Sequence, residues 1–114
     1  MMKDNLFQKI IDKQIPANIV YEDDQCLAFK DINPQAPVHV LIIPRQVIPT
    51  HSELTAADRD ILGHLHLVAV KLADQLGIQD GYRLVINCKE RAGQTVPHLH
   101  FHLLGGRDMR WPPG

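Results

Sequence analysis

The 114 residues include only two cysteines, Cys26 and Cys88, and these form no CxxC pair. Cys26 sits in an apolar run, where a small buried thiol is expected, and a reducing cytoplasm is the expected home. Charge of one sign is also missing: 12 Lys and Arg face 13 Asp and Glu, a net charge of -1. No field of that size recruits a nucleic-acid backbone, so a phosphate ligand must be gripped locally. Long apolar runs are absent as well. Met1 to Gln14 is broken by Lys3, Asp4, Lys9, Asp12 and Lys13, unlike a signal peptide, and no segment is long enough to span a membrane. Without an internal repeat or a low-complexity linker, residues 1–114 read as a single domain with an ordinary soluble composition.

Apolar periodicity supplies the elements. Leu6, Phe7, Ile10 and Ile11 recur at helical spacing, and Pro16 stops that short helix. Ile19 to Glu22 and Cys26 to Lys30 read as strands joined through Asp23-Asp24-Gln25. After the loop Asp31 to Pro37, the β-branched run Val38 to Ile43 reads as a mostly buried strand closed by Pro44. Thr55 with Asp58 signals a helix start and Gly77 its stop, bracketing about 20 residues with the stripe Ile61, Leu62, Leu65, Val68, Ala69, Leu72, Leu76. Tyr82 to Asn87 and Pro97 to Leu104 complete the strands, flanking the polar loop Cys88 to Val96. The tail Gly105 to Gly114 reads as irregular.

These elements predict an α+β fold: a five-stranded antiparallel meander with one long and one short helix. One long helix covers one face of such a sheet, leaving an apolar stripe or edge for a second subunit, so a homodimer is expected.

Three of the seven histidines fall in His98-Leu99-His100-Phe101-His102. On a strand their side chains share one face, while Leu99, Phe101 and Leu103 point to the core. His51, His64 and His66 read as structural, the last two on the long helix. Two chemistries fit the row. Imidazole ligates zinc, but the outer Cα atoms stand roughly 13 Å apart at about 3.3 Å per residue, so one metal does not take all three; a pair with His39 remains open. Alternatively, neutral imidazole is a good nucleophile toward phosphorus, and flanking imidazoles donate to phosphate oxygens. No cofactor is required for that second chemistry.

The segment Gly93-Gln94-Thr95-Val96-Pro97-His98-Leu99-His100-Phe101-His102-Leu103-Leu104 resembles the motif of the histidine triad (HIT) family, His-φ-His-φ-His-φ-φ with φ apolar, after a Gly-Gln-Ser/Thr loop. The likeness extends over Phe7 to Ile11, Asp31 to His39, Gly81-Tyr82-Arg83, Gly105-Gly106-Arg107 and Trp111-Pro112-Pro113-Gly114, all similar to the family's Hint branch. The resemblance implies a HIT-like fold with His100 as nucleophile, His102 on the phosphate, His39 behind it in a relay and His98 orienting the nucleophile. It also implies that Asp31 holds the ribose hydroxyls, that Asn87, Gly93 and Thr95 surround the phosphate and leaving group, and that Phe7, Ile10, Phe29, Ile32 and Leu41 wall the base. Phe29 and Leu41 fit a core reading equally well. Two positions depart from the pattern: Thr95 stands where many relatives carry Ser, and Pro97 where an aromatic is frequent.

The activity so implied is hydrolysis of purine nucleoside 5'-phosphoramidates, AMP or GMP derivatives, through a nucleotidyl-histidine. His102 separates the chain from the nucleotidylyltransferase branch, which has glutamine there. Dinucleoside polyphosphate hydrolysis is the nearer enzymatic alternative. A nucleotide-responsive or zinc-binding interaction protein is the alternative from another class.

Overall fold

A computed structural model describes residues 5–114; Lys3 and Asp4, read above as breaking the N-terminal segment, lie outside them. Helix α1 (Leu6–Ile11) is capped by Asn5, whose side chain accepts the Gln8 N–H. It leads to strands β1 (Ile19–Glu22), β2 (Cys26–Lys30) and β3 (Val38–Pro44), the long helix α2 (Arg59–Gln75), β4 (Tyr82–Val85) and β5 (Phe101–Gly105). The expected α+β class and five-stranded antiparallel sheet are present. The meander holds through β1, β2 and β3; β5 then inserts between β3 and β4, giving the order β1-β2-β3-β5-β4.

Thr55 and Asp58 form the expected reciprocal cap, but around a 3₁₀ turn, Ala56–Asp58, so α2 itself has 17 residues. Gly77 ends it at φ 75°, a left-handed conformation that costs glycine little. A second contact fixes α2 against the sheet: His64 Nε2 lies 2.7 Å from Asp23 Oδ2. Burial pushes the Asp23 carboxyl up, yet bonds from the Gln25 and Cys26 N–H groups, His64 and Tyr21 together hold it well below the usual carboxylate range.

Strand alternation sorts the core into two clusters. Cys26, Ala28, Val40, Ile42, Phe101 and Leu103 meet α2 through Leu65, Val68, Ala69, Leu72 and Ala73. Leu27, Phe29, Leu41 and Ile43 point to the other face, where Phe7 and Ile10 of α1 cover them with Val96. Helix α1 thus covers part of the face left open by α2, over Leu27, Phe29, Leu41 and Ile43. Exposed apolar side chains include Leu67 and Val70 of α2 and Tyr82 on edge strand β4, besides Leu6 of α1, Ile32, Val47 and Trp111. Among the described residues no helix is long and apolar enough to cross a membrane.

Two strands are shorter than the sequence suggested: β4 ends at Val85 and β5 starts at Phe101 rather than Pro97. Neither Pro44 nor Pro97 has an N–H to extend the ladder. The intervening donors bond elsewhere, His98 N–H to the Val96 carbonyl and Leu99 N–H to the Ile48 carbonyl at 2.7 Å. His98 and His100 consequently lie just outside the sheet, with His102 inside it.

Candidate active site

His102 faces the α1 side of the sheet, opposite Leu41 on β3 and Val85 on β4. A cavity of about 270 Å³ opens there. His100, His102, Lys30, Asp31 and Thr95 form its polar lining, while Leu6, Phe7, Ile10, Phe29, Ile32 and Leu41 are among its apolar walls. Every wall residue implied by the resemblance is thus assembled around one space. Ile32 is almost fully exposed at its mouth, whereas Phe7, Ile10, Phe29 and Leu41 are at once wall and core.

His98 does not line the cavity. Its ring is fully buried and makes two bonds: Nε2 lies 2.7 Å from the Pro44 carbonyl, and Nδ1 3.1 Å from the Asn5 side-chain amide. The three imidazoles share one face as expected, on the α1 side, with Leu99, Phe101 and Leu103 in the α2 core; the ladder begins only at Phe101, and His98 is buried beneath the start of α1. His39 also stays outside the lining and touches it through His102. Asn87 and Gly93 are not among the lining residues; Asn87 stands two residues beyond Val85, and Gly93 is a left-handed turn residue at φ 93°.

Each imidazole has its proton placed by its partners. His100 Nδ1 is 2.7 Å from the His98 carbonyl, which only accepts, so Nδ1 carries the hydrogen and Nε2 keeps its lone pair. His39 Nδ1 accepts the Gln35 N–H at 3.0 Å, which puts the His39 proton on Nε2. From there it donates to His102 Nδ1 at 2.9 Å, and the His102 proton is left on Nε2. Burial opposes a charge on all four rings: it lowers His39, His98 and His100 below the usual imidazole value, and brings His102, with the fields of His100 and His39, down to about 4. The constellation is a neutral imidazole with a free lone pair beside a neutral N–H donor.

Asp31 Oδ2 lies 3.4 Å from His39 Nε2, and its Oδ1 accepts the Asn33 N–H, so it is a turn cap as well as part of the lining. Asp31, His39 and His102 bring one ligand atom each within 4.8 Å of one another, the grouping at this site suited to a cation. Only His102 of the triad takes part. A metal there replaces the proton shared by His39 and His102 and leaves His100 aside.

Sequence reasoning missed two positioning residues. Gln94 is buried and uses its whole amide: Oε1 accepts from Lys89 N–H and the Thr50 hydroxyl, and Nε2 donates to the Pro49 and Val96 carbonyls. It holds the loop that carries Thr95. Asn5 was missed because a capping residue gives no sign, in sequence, of a contact 93 positions away.

Three alternate imidazoles leading into an antiparallel sheet, two of them lining a cavity, with a fourth imidazole behind them on the neighbouring strand, define a histidine triad protein. Residues 12–109 match the HIT domain. A HIT-like protein of Synechocystis sp. is 60% identical over the whole of both chains. The crystal structure of a HIT family hydrolase from Legionella pneumophila Philadelphia 1 superposes with a TM-score of 0.94 at 50% identity, covering 96% of this chain and 98% of that one. A histidine triad nucleotide-binding protein from Candida albicans gives 0.80 at 32% identity, with 94% and 82% covered. The chain belongs to the HIT family, and it is of the hydrolase type in that family.

Proposed function

We propose that the protein is a purine nucleoside phosphoramidase of the Hint branch, working on AMP or GMP amides as a cytoplasmic homodimer. The observation that carries this reading is the hydrogen bond from His100 Nδ1–H to the His98 carbonyl, which leaves Nε2 as the free lone pair of a ring lining the cavity. In the first step Nε2 attacks the α-phosphorus, the P–N bond to the substrate amine breaks, and the departing amine takes a proton from water. Nucleotide is then held on His100 as a phosphoramidate. His102 Nε2–H donates to a phosphate oxygen, most strongly as charge builds in the transition state. Water next attacks phosphorus, the bond to His100 breaks, and the nucleoside monophosphate leaves. Asp31 accepts from the ribose hydroxyls, Thr95 borders the phosphate and leaving group, and the apolar walls take the flat base. The nucleotide-binding relative from Candida albicans and the Trp-Pro-Pro-Gly ending favour the same branch.

Adenosine 5'-phosphoramidate tests the proposal directly. Metal-free protein is expected to release AMP and ammonia, quenching in alkaline denaturant to trap AMP on His100, since a phosphorus–histidine bond survives base but not acid, and His100→Ala to lose turnover by at least about 10⁴-fold. Faster cleavage of a diadenosine polyphosphate than of the amide would move the protein to the other hydrolase branch. For the assembly the measurement is sedimentation, where a 12.9 kDa species persisting at micromolar concentration would count against the dimer.

A further inference from the structure

We propose that Asn5 is a positioning residue of the triad: the side chain that caps α1 also fixes the tautomer of His98, and through the His98 carbonyl the orientation of His100. Four observations meet here. The Asn5 side-chain oxygen accepts the Gln8 N–H at 3.1 Å, so its amide nitrogen is turned the other way. That nitrogen lies 3.1 Å from His98 Nδ1. On the far side of the same ring, His98 Nε2 meets the Pro44 carbonyl at 2.7 Å, and the carbonyl of His98 itself receives His100 Nδ1–H at 2.7 Å.

The donors and acceptors allow one assignment. The Pro44 carbonyl has no hydrogen, so Nε2 carries the His98 proton, and Nδ1 of the neutral ring presents a lone pair to the Asn5 amide. Flipping the amide sets oxygen against that lone pair and NH₂ against the Gln8 N–H, two repulsions in place of two bonds. Flipping the His98 proton to Nδ1 sets N–H against NH₂ and leaves two acceptors facing each other at Pro44. His98 is fully buried, so water does not relieve either mismatch. The first turn of α1 also places Phe7 edge-on to His100, with ring centroids 4.9 Å apart, and 6.2 Å from His98. One residue therefore ties the helix that walls the cavity to the imidazole that holds the nucleophile's backbone partner. The effect on catalysis rests on the function proposed above; the tautomer does not.

Asn5→Asp separates the two duties of the side chain, because aspartate caps a helix as well as asparagine but donates nothing to His98. Long-range ¹H–¹⁵N spectra of the histidine rings are expected to show His98 protonated only at Nε2 in the native protein. In Asn5→Asp the Nδ1 resonance should shift to that of a protonated nitrogen, with kcat toward adenosine 5'-phosphoramidate reduced about tenfold and KM little changed. If circular dichroism shows that Asn5→Asp does not fold, Asn5→Ser keeps a capping oxygen without the amide, and His98 should then sample both tautomers. A native His98 protonated at Nδ1, or His98 resonances that stay in place in the folded variant, overturns the proposal. A shifted tautomer in a protein without phosphoramidase activity would instead remove the proposed function and leave the role of Asn5 standing.

Discussion

His39 and His102, 63 positions apart in the chain, share a 2.9 Å hydrogen bond with a defined direction, Nε2–H of His39 donating to Nδ1 of His102. The Gln35 N–H, 3.0 Å from His39 Nδ1, sets that direction. A backbone amide at the far end of the relay thus decides that His102 offers an N–H rather than a lone pair toward the cavity. Reversing any member reverses the chemistry available at the other end.

Replacing His39 by leucine removes the donor and leaves a largely buried His102 Nδ1 without a partner. The fold should lose about 1–3 kcal/mol, read by urea denaturation, and the His102 proton is free to sit on either nitrogen. Turnover of the amide substrate should fall about tenfold, through kcat. Unchanged kcat in the folded variant would show that the relay does not serve the reaction.

Acid should weaken the protein with a definite sign. The four imidazoles are held neutral in the folded state, with values below the usual imidazole value of about 6.5 that applies when unfolded. Their contribution is complete above about pH 6.5 and is lost as pH falls through the depressed folded values, reaching about 4 for His102, which alone accounts for up to about 3 kcal/mol. Denaturant midpoints at pH 8, 6 and 5 should decline in that order. The acid limb of kcat/KM should lie below pH 6.5, since His100 keeps its lone pair through the ordinary imidazole range; a limb at pH 7 or above would contradict the burial argument.

Gln94→Ala deletes four hydrogen bonds that hold the loop carrying Thr95 together and tie it to Pro49 and Thr50. A loss of about 2–4 kcal/mol is expected in the same denaturation assay. KM for the nucleotide should rise more than kcat falls, because the loop borders the cavity without touching the nucleophile. An unaltered KM would place the loop outside substrate binding.

Zinc should act as an inhibitor. Bound by Asp31, His39 and His102, it takes the place of the relay proton, so added Zn²⁺ should suppress turnover, chelation should restore it, and His39→Leu should blunt the effect. Activity that disappears with chelator and returns with zinc would assign the metal a catalytic role instead.

Much of the fold was legible because short-range patterns carry it. Strands β1 and β2 fall where the alternating and β-branched runs put them, Pro44 closes β3, and α2 begins at the Thr55–Asp58 cap and ends before Gly77. The site was legible in its types: His100, His102, Asp31, Thr95 and the apolar walls do share one cavity. The alternation placed the three imidazoles on one face correctly, but it did not show that the ladder starts only at Phe101, so that His98 is buried instead of lining the cavity. Covering of the second face by α1 was equally hidden, because periodicity reports that a helix has an apolar side but not what that side meets.

Sequence alone determined the residue chemistry: three imidazoles at every second position, a fourth on an earlier strand, balanced charge and one domain's worth of core. Tertiary structure decided which nitrogen of each ring holds its proton, by setting Pro44, His98, Gln35 and Asn5 opposite rings up to 93 residues away. A tautomer is chosen by the partner on the other nitrogen, and that partner is known only once the chain has closed on itself.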